Sequence, residues 1–362
     1  MKYTKLGNSG TVVSRMALGT MYFGDETPEA ESLAILDAFV EAGGTHFDTS
    51  DVYAEGRSEE IIGKWFATRP QDITDQVVLA SKGRMGDPGR GNDLGLSRRH
   101  LHRALEGSLR RLGRETIDLY QLHASDLTTP MEETVAFLAD AVRAGKIHYV
   151  GLSNFSGWEL QRFVSTAEAM GAPVPVSHQP QYSLLSRWVE WEVLPAAINN
   201  GLAILPWSPL ASGFLTGKYK RGEKPASDTR AGSEKPLYQW TSSDYAKSDQ
   251  NWEVIEAVVR IARGLGVPPS HVALSWLANR PGVTAPIVGA RTLAHLTDNI
   301  GFVDLELDAE TTRMLDQLSA PIAPGYPYDD FGQGQRARCV EGSELQPQQP
   351  YENGSEHPTG RS

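Results

Sequence analysis

The sequence has little cysteine, no long apolar run and fewer basic than acidic residues. Its single cysteine, Cys339, excludes an internal disulfide and a cysteine-ligated zinc site. No stretch approaches the roughly 18 apolar residues of a membrane-spanning helix, and the opening MKYTKLGNSG lacks the apolar core of a signal peptide. The formal net charge of −11 argues against a nucleic-acid-binding surface. These absences favour a cytoplasmic protein without membrane or nucleic-acid partners.

Eight short apolar runs alternate with segments that carry helix signals. Most runs are continuous rather than alternating, which is typical of parallel strands covered on both faces. They lie at residues 16–19, 45–48, 77–82, 117–123, 148–153, 174–179, 203–207 and 285–289. Strands that alternate with helices imply parallel βαβ units, and eight units in roughly 300 residues fit a closed barrel better than an open sheet.

The glycine pattern also argues against an open dinucleotide-binding sheet. Such a sheet usually carries G-x-G-x-x-G after its first strand, and the glycines at positions 86, 89, 91 and 95 have a different spacing. Two β-forming segments, 3–6 and 11–13, flank the turn at 7–10 and predict a hairpin that closes one end of the barrel. We therefore expect an α/β fold, a (β/α)₈ TIM barrel with an N-terminal β-hairpin and a C-terminal extension.

Composition divides the chain into one long domain and a tail. Residues 1–328 carry the barrel pattern and predict a single domain. Residues 329–362 are polar, with few aliphatic side chains, and we expect this tail to be disordered. A second polar stretch, 212–250, follows the seventh strand and contains Tyr238 and Trp240. A connection of this length is usually a functional lid or disordered.

Three helix starts can be read from short patterns. Ser97 precedes a stripe of leucines that ends at Gly113, so we expect it to cap a helix. Residues 129–132 (TPME) and 156–159 (SGWE) both have the spacing of a capping box. Each box follows a predicted strand, which places a helix directly after the strand end.

Four polar residues lie at or just beyond the ends of consecutive predicted strands. Asp48 ends the second strand, Tyr53 follows it, Lys82 ends the third and His123 ends the fourth. In a barrel these ends meet on one face, where active sites are built. A lysine ammonium lowers the pKa of a nearby phenol, a carboxylate keeps the lysine charged, and a neutral histidine can donate to a carbonyl oxygen. The set predicts proton transfer to a carbonyl without a metal ion.

Each of these residues also has an ordinary structural interpretation. Asp48 could cap the following helix, Tyr53 could be a half-buried packing residue, and Lys82 could be a solvated loop cation. One of nine histidines at a strand end is usually structural. Their coincidence at consecutive strand ends favours the catalytic interpretation over separate structural ones.

Several segments carry a resemblance to a known family. They are 47–53 (FDTSDVY), 79–82 (LASK), 117–123 (IDLYQLH), 151–155 (GLSNF), 5–10 (KLGNSG), 18–21 (LGTM) and 206–210 (PWSPL). In this order, over residues 1–328, the chain resembles the aldo-keto reductase superfamily. The resemblance implies an NAD(P)H-dependent oxidoreductase that reduces an aldehyde or ketone to an alcohol. It makes Tyr53 the general acid, with Lys82 lowering its pKa, Asp48 paired to Lys82, and His123 orienting the carbonyl.

The same resemblance implies a nicotinamide dinucleotide across the barrel mouth. Residues that match the family's contacts to the nicotinamide end are Gly19, Thr20, Met21, Asp48, Ser153, Asn154 and Gln179, with Trp207 stacking on the ring. Residues that match the loop over the pyrophosphate are Ser208, Pro209, Leu210, Gly213, Leu215, Gly217 and Lys218. The alternatives are ordinary core packing for Trp207 and a mobile surface loop for the second group.

The adenosine end is implied by the segment from Gly289 to Asn299. Matching residues are Gly289, Arg291, His295, Asp298 and Asn299. Some branches of the family have lysine in place of Gly289, glutamine or arginine in place of His295, and glutamate in place of Asp298. Because Arg291 remains and can grip a 2′-phosphate with its planar fork, we expect NADP as the cofactor rather than NAD.

The substrate is expected to be a small-molecule carbonyl compound. From loop position, Tyr22, Phe23 and Met85, together with Tyr53 and His123, are expected to line its pocket, with Tyr238 and Trp240 contributed by the long loop.

Three alternative functions stay open. Residues 283–289 and 207–210 also resemble reductases of nucleotide-linked keto-deoxysugars in natural-product pathways. The overall pattern resembles the β subunits of voltage-gated potassium channels, which would make the chain a cofactor-binding regulatory subunit. An unrelated barrel, such as an aldolase with Lys82 as a Schiff-base amine, is the third alternative.

Overall fold

The computed structural model describes residues 1–236, 238–239 and 244–338. Its central sheet contains eight parallel strands in the order β10-β3-β4-β5-β6-β7-β8-β9. These strands are β3 (Ala17–Gly19), β4 (His46–Asp48), β5 (Val78–Gly83), β6 (Ile117–Leu122), β7 (Ile147–Ser153), β8 (Ser177–Gln179), β9 (Ala203–Ile204) and β10 (Ile287–Gly289). All eight predicted strands are present, and each pairs with the strand that follows it in the sheet order.

Backbone hydrogen bonds join the last two strands and close the sheet. The Thr284 amide donates to the Ile204 carbonyl at 2.8 Å, and the Ile287 amide donates to the Pro206 carbonyl at 2.9 Å. Residues Ile204 and Val283 form a parallel bridge at the same place. The sheet is therefore a (β/α)₈ barrel, and the predicted fold is confirmed.

Helices follow the strands and cover the outside of the barrel. They are α1 (Glu29–Glu41), α2 (Arg57–Thr68), α3 (Gln71–Thr74), α4 (Arg98–Leu112), α5 (Met131–Arg143), α6 (Gly157–Ala169), α7 (Val193–Asn199), α8 (Asp249–Leu265), α9 (Pro269–Ala278), α10 (Leu293–Ile300), α11 (Ala309–Leu318) and α12 (Asp330–Arg336). Most of the buried apolar side chains lie in one cluster that contains residues of both the strands and these helices.

Two of the three predicted helix caps are confirmed. The Ser97 hydroxyl accepts from the His100 amide at the start of α4, and Ser156 with Glu159 forms the capping box of α6. The box predicted at 129–132 is wrong. The Thr129 hydroxyl donates to Asp126 instead, and α5 begins after Pro130 without a side-chain cap.

The N-terminal hairpin lies against one end of the barrel. Its strands, β1 (Tyr3–Lys5) and β2 (Val12–Ser14), are antiparallel as predicted. Leu6 and Val13 of this segment join a second buried apolar cluster with Leu119 and Leu205 from the barrel strands. Because apolar side chains fill this part of the interior, the polar residues gather at the carboxyl ends of the strands.

A short helix, α12, stands at the beginning of the segment that the sequence assigned to a tail. Just before it, the rings of Trp191 and Tyr328 pack with centroids 5.4 Å apart. The rest of that tail, including Cys339, lies outside the described residues, so the division of the chain at residue 328 stays a prediction. Within the part that the structure describes, no helix is both long enough and apolar enough to cross a membrane.

Candidate active site

A buried ion pair lies at the carboxyl ends of β4 and β5. The Lys82 Nζ donates to Asp48 Oδ1 at 2.6 Å, to the Thr49 carbonyl at 2.8 Å and to the Tyr53 hydroxyl at 3.2 Å. Lys82 is fully buried and Asp48 is 2% exposed. The three donors of the ammonium are thus satisfied by an anion, a carbonyl and a phenol, which fixes the direction of the lysine side chain.

The second oxygen of Asp48 is held by two amides. Gln121 and Gln179 each donate from Nε2 to Asp48 Oδ2, at 3.0 and 2.8 Å, and Gln179 also donates to Gln121 Oε1 at 3.0 Å. Gln179 was predicted as a cofactor contact, and here its amide supports the carboxylate. Gln121 was missed, although a glutamine inside the apolar run 117–122 is a visible signal. Both amides are buried, so Asp48 stays fully hydrogen-bonded without water.

We expect Gln121→Met to lower the free energy of unfolding by about 1–3 kcal/mol, because Asp48 Oδ2 then loses a buried donor. Urea denaturation followed by circular dichroism measures this. Gln76→Met, at an exposed position before β5, is the matched control and should change stability by less than about 0.5 kcal/mol. Equal stability of the two variants would show that the amide does not support Asp48.

Tyr53 begins a tight 3₁₀ turn directly after the loop that follows β4. Ala54 and Glu55 in this turn have φ values of 47° and 58°, in the left-handed region that non-glycine residues seldom adopt. Burial raises the pKa of the Tyr53 phenol, while the Lys82 ammonium acts in the opposite direction. The Lys82 charge acts in the direction that the sequence predicted, but the loss of water on burial is the larger effect. Tyr53 therefore carries its proton throughout the neutral range.

Burial alone would lower the pKa of Lys82, but Asp48 and Tyr53 raise it above its ordinary value. The amine is therefore charged and is a poor nucleophile. Since a Schiff base requires a neutral amine with access to substrate, the buried and paired Lys82 does not suit an aldolase mechanism.

His123 follows β6 on the same face of the barrel. Its ring centroid lies 6.0 Å from that of Tyr53, and its Nδ1 lies 3.1 Å from the Ser50 hydroxyl. Burial, then the positive charges of Lys82 and Arg84, hold the pKa of His123 well below its usual value. The imidazole is therefore neutral, and among the described residues no side chain or backbone group bonds its Nε2. This nitrogen therefore keeps its hydrogen-bonding capacity for a ligand.

A chain of polar groups continues from His123 along the mouth of the barrel. Asn154 donates from Nδ2 to the His123 carbonyl at 2.8 Å and to the Ser153 hydroxyl at 3.1 Å. The indole of Trp207 donates to Asn154 Oδ1 at 2.9 Å. Asn154 has a φ of 55°, so its backbone is held in an unusual conformation at this point. These hydrogen bonds hold Ser153, Asn154 and Trp207 side by side. Such an arrangement suits a ligand that has a flat aromatic ring and an amide group.

Several predicted site residues do not present a side chain to the open mouth. Phe23 is fully buried in the main apolar cluster, Leu215 is 1% exposed, and Asn299 is largely buried. Thr20 is fully buried and donates to the Asp48 carbonyl at 3.0 Å, so its hydroxyl supports β4. Gly19 is buried against Ile287, whose Cγ2 would lie 2.8 Å from a Cβ there. The contacts to cofactor or substrate predicted for these residues would have to come from their backbone atoms or follow a rearrangement of their side chains.

The segment after β9 turns sharply over the barrel mouth. Ser208, Ala211 and Ser212 all have positive φ, from 47° to 56°. Strained backbone of this kind concentrates at ligand-binding sites. Gly213 has a φ of 90°, in the left-handed region that favours glycine, so glycine adopts this turn without strain. Pro209 is buried, whereas Leu210 and Gly217 are partly exposed in the same turn.

The long loop then crosses to the segment after β3. Lys235 contacts Asp25 at 2.6 Å and Glu26 at 3.2 Å, and the Tyr238 hydroxyl donates to Glu26. The Arg230 guanidinium lies between the rings of Tyr22 and Tyr238, 4.7 and 4.9 Å from their centroids. Ion pairs, a hydrogen bond and ring contacts thus hold this loop against the segment that follows β3. Trp240, the other aromatic residue predicted here, lies outside the described residues.

A cavity of about 470 Å³ lies between this loop and the start of α10. Its lining includes three basic side chains, Arg230, Lys235 and Arg291, together with His295. Among the described residues, the Arg291 guanidinium contacts Glu26 at 3.4 Å and the Asp228 carbonyl at 3.3 Å, both from Nη1, so its other nitrogens keep donors for a ligand. The lining also contains Glu26 and Asp228, so its basic side chains exceed its acidic ones by one, which favours an anionic group such as a phosphate.

Four other predicted residues, Gly289, Asp298, Met21 and Met85, do not line this cavity. Gly289 is exposed at the end of β10, and a Cβ there would approach the Tyr22 ring to 2.9 Å. Asp298 is exposed on α10, and its carbonyl contacts His271. Met21 and Met85 are partly exposed near the mouth, and Met85 contacts Arg84. The described residues contain no cluster of His, Cys, Asp and Glu suited to a metal ion.

The barrel and the buried lysine–aspartate–tyrosine set at its strand ends are typical of a nicotinamide-dependent oxidoreductase that acts on carbonyl groups. A sequence model of the aldo/keto reductase family matches residues 15–320. The chain belongs to the aldo/keto reductase family. This excludes the unrelated barrel that the sequence analysis kept as an alternative.

Curated relatives cover nearly the whole barrel. An uncharacterized oxidoreductase, YrpG of Bacillus subtilis, is 40% identical over 326 residues, which are 88% of this chain and 96% of that protein. A probable voltage-gated potassium channel subunit beta of Oryza sativa is 36% identical over 89% of this chain and 97% of its own. Versiconal hemiacetal acetate reductase of Aspergillus parasiticus is 31% identical over 90% and 99%. The chain is therefore similar in sequence both to proteins named as oxidoreductases or reductases and to one named as a probable channel subunit.

Proposed function

We propose that the protein is an NADPH-dependent reductase that converts an aldehyde or ketone to an alcohol, with Tyr53 as the proton donor. The observation that carries this proposal is the position of Lys82, whose ammonium bonds both the Asp48 carboxylate and the Tyr53 hydroxyl. A protonated phenol and a neutral imidazole whose ring centroids lie 6.0 Å apart can together hold a carbonyl oxygen.

The residues act on the carbonyl oxygen. When bound, the reduced nicotinamide supplies the hydride. Tyr53 donates its proton to the oxygen as negative charge develops there, and the fixed Lys82 ammonium stabilises the phenolate that remains. His123 orients the oxygen by hydrogen bonding. Asp48, held by its two glutamines, keeps Lys82 charged and in place. Ser153, Asn154 and Trp207 would hold the nicotinamide end.

Turnover tests this proposal directly. Purified protein should consume NADPH, followed at its absorbance maximum, in the presence of at least one compound from a panel of aldehydes and ketones. Alcohol should form in equal amount. Absence of consumption with every compound, in protein shown to bind NADPH, would contradict it.

We further propose NADP rather than NAD as the cofactor, because Arg291 and Arg230 line the cavity that would hold the adenosine end. Arg291→Ala should raise the Kd for NADPH about ten- to a hundredfold, since charge-assisted hydrogen bonds contribute about 1.5–3 kcal/mol. The Kd for NADH should change less than about threefold. Fluorescence titration measures both. Arg313→Ala, at an exposed position on α11, is the matched control, and an equal loss for both cofactors would contradict the assignment.

A second candidate function is a cofactor-binding regulatory subunit. The similarity to a probable voltage-gated potassium channel subunit beta favours it. Tight NADPH binding without turnover, unchanged in Tyr53→Phe, would support it. The keto-deoxysugar reductase alternative stays a prediction, and including such a sugar nucleotide in the substrate panel tests it.

A further inference from the structure

Ser50 and Asp51 continue the hydrogen-bond chain behind His123. The Ser50 hydroxyl lies 3.1 Å from His123 Nδ1 and donates to Asp51 Oδ1 at 3.1 Å. Ser50 is fully buried, and Asp51 is partly buried. The nitrogen on the other side of the ring, Nε2, is the one left for a substrate. A serine hydroxyl has a single proton, so the state of Asp51 decides what Ser50 can offer to His123.

An ionised Asp51 accepts a hydrogen bond from the Ser50 hydroxyl. Ser50 can then only accept from His123, so the neutral imidazole must carry its proton on Nδ1. Nε2 is left with a lone pair, which repels a carbonyl oxygen. In this arrangement His123 cannot donate a hydrogen bond to the substrate.

When Asp51 is protonated, both hydrogen bonds between Asp51, Ser50 and His123 run in the opposite direction. Its carboxyl group donates to the Ser50 oxygen, and the Ser50 hydroxyl donates to a bare Nδ1. The neutral imidazole then carries its proton on Nε2 and can donate to the carbonyl oxygen.

We propose that Asp51, acting through Ser50, is a positioning residue that determines which nitrogen of His123 carries the proton. This rests on the proposed function, because the donor at Nε2 matters only if His123 holds the carbonyl.

Protons balance in the exchange between the two arrangements. One proton enters from water at Nε2, the Nδ1 proton moves to the Ser50 oxygen, and the Ser50 proton moves to Asp51. The net change is one proton gained by the Asp51 carboxyl, with His123 and Ser50 neutral before and after. No group outside these three residues and water is needed.

The groups around Asp51 place its titration in the neutral range. Burial, then the nearby Glu59 carboxylate, raises the pKa of Asp51 to about 7. Three smaller effects lower the pKa: the Ser50 hydrogen bond, the Arg111 guanidinium and the Lys82 ammonium. Those cations are engaged elsewhere: Arg111 contacts Glu59 at 2.7 Å and Lys82 contacts Asp48 at 2.6 Å. The phenols of Tyr53 and Tyr120 also face Asp51, and burial raises the pKa of each, so both are neutral in this range.

The pH dependence follows from these states. Below about pH 7 the Asp51 carboxyl is protonated and Nε2 carries the imidazole proton. Above about pH 7 the Asp51 carboxyl is ionised and the imidazole proton is on Nδ1. Since the pKa of His123 lies well below its usual value, the ring stays neutral across this range and only its tautomer changes.

Nitrogen-15 NMR of the histidine rings tests the proposal without requiring turnover. Protonated and bare ring nitrogens resonate at separate positions, and the His123 signals are assigned as those missing from His123→Gln. We expect the wild-type protein to change from Nε2–H to Nδ1–H as pH rises through about 7. Asp51→Asn should stay Nε2–H, because an amide can donate to Ser50 at every pH. Ser50→Ala should show no change of tautomer with pH.

Two results would overturn the proposal. One is a single His123 tautomer in the wild-type protein from about pH 5.5 to 9. The other is a change of tautomer that persists in either Asp51→Asn or Ser50→Ala, and one folded variant is sufficient to show it.

Steady-state kinetics supply the second arm. The kcat/KM of wild-type reduction should fall about tenfold per pH unit above about pH 7, and Asp51→Asn should be flat there. Deprotonation of Tyr53 cannot produce this fall, because its pKa is raised above 10.0. If the tautomer changes but no carbonyl is reduced, the proposed function fails and the assignment of Asp51 stands. If reduction occurs with no change of tautomer, the reverse holds.

Discussion

Tyr53→Phe should lower kcat for carbonyl reduction about 10²–10⁴-fold, because it removes the proposed proton donor, whose phenolate the Lys82 ammonium would stabilise. The substitution removes one hydroxyl and keeps the ring that packs against His123. The Kd for NADPH should change less than about threefold, since the phenol is not among the groups proposed to hold the cofactor. Stopped-flow and steady-state kinetics measure kcat, and fluorescence titration measures Kd.

The matched control for this experiment is Tyr3→Phe. Tyr3 is exposed in the N-terminal hairpin, at the opposite end of the barrel, and its hydroxyl donates to the Gly43 carbonyl. Its kcat should equal that of the wild type. Retention of more than about a tenth of wild-type kcat in Tyr53→Phe would remove the phenol from the role of proton donor.

Lys82→Met should affect both stability and activity. The substitution leaves Asp48 as a buried carboxylate without its cation, which costs about 3–5 kcal/mol of the free energy of unfolding. Reduction should also fall to the level of Tyr53→Phe or below, because the phenolate that forms on proton transfer loses its counter-charge. Urea denaturation and kcat measure the two effects separately.

A double variant separates these two contributions. Lys82→Met combined with Asp48→Asn removes the buried charge and should recover at least half of the lost stability without recovering activity. Lys64→Met removes an exposed lysine that pairs with Glu29 and should cost no more than about 1 kcal/mol. If Lys82→Met proved as stable as Lys64→Met, the buried pair would not be a structural element of the site.

The barrel could be predicted because its strands are continuous apolar runs. The segment 77–82 is covered on both faces, so its β character does not depend on the alternation that is harder to detect. Strand bounds differ by one residue in β5 and by three in β8, which begins at Ser177 instead of residue 174. The capping box at Ser156 and Glu159 was readable, whereas Thr129 was not, because Asp126 competes for its hydroxyl.

The sequence predicted the catalytic residues from their types and their positions at strand ends, but it did not predict the buried residues that hold them in place. Gln121 and Glu59 are buried polar residues whose partners, Asp48 and Arg111, are 73 and 52 positions away in sequence. A single sequence does not show that residues so far apart are hydrogen-bond partners. The direction of the Tyr53 pKa was also out of reach, because it depends on how much water the folded loop removes.

The long loop after β9 shows the same limit. Its polarity suggested either a lid or disorder, and its contacts with Asp25 and Glu26 depend on a segment about 210 residues earlier. The composition of a loop reports that it is solvated, not which surface it covers.

Transfer of an isotope tests the central claim most directly. Wild-type protein is incubated with NADPH deuterated at the transferable position and with an aldehyde that it consumes, and the alcohol is examined by mass spectrometry and proton NMR. We expect one deuterium on the carbinol carbon of each alcohol and none from Tyr53→Phe within the same time. Alcohol without deuterium, or equal transfer by both proteins, would contradict it.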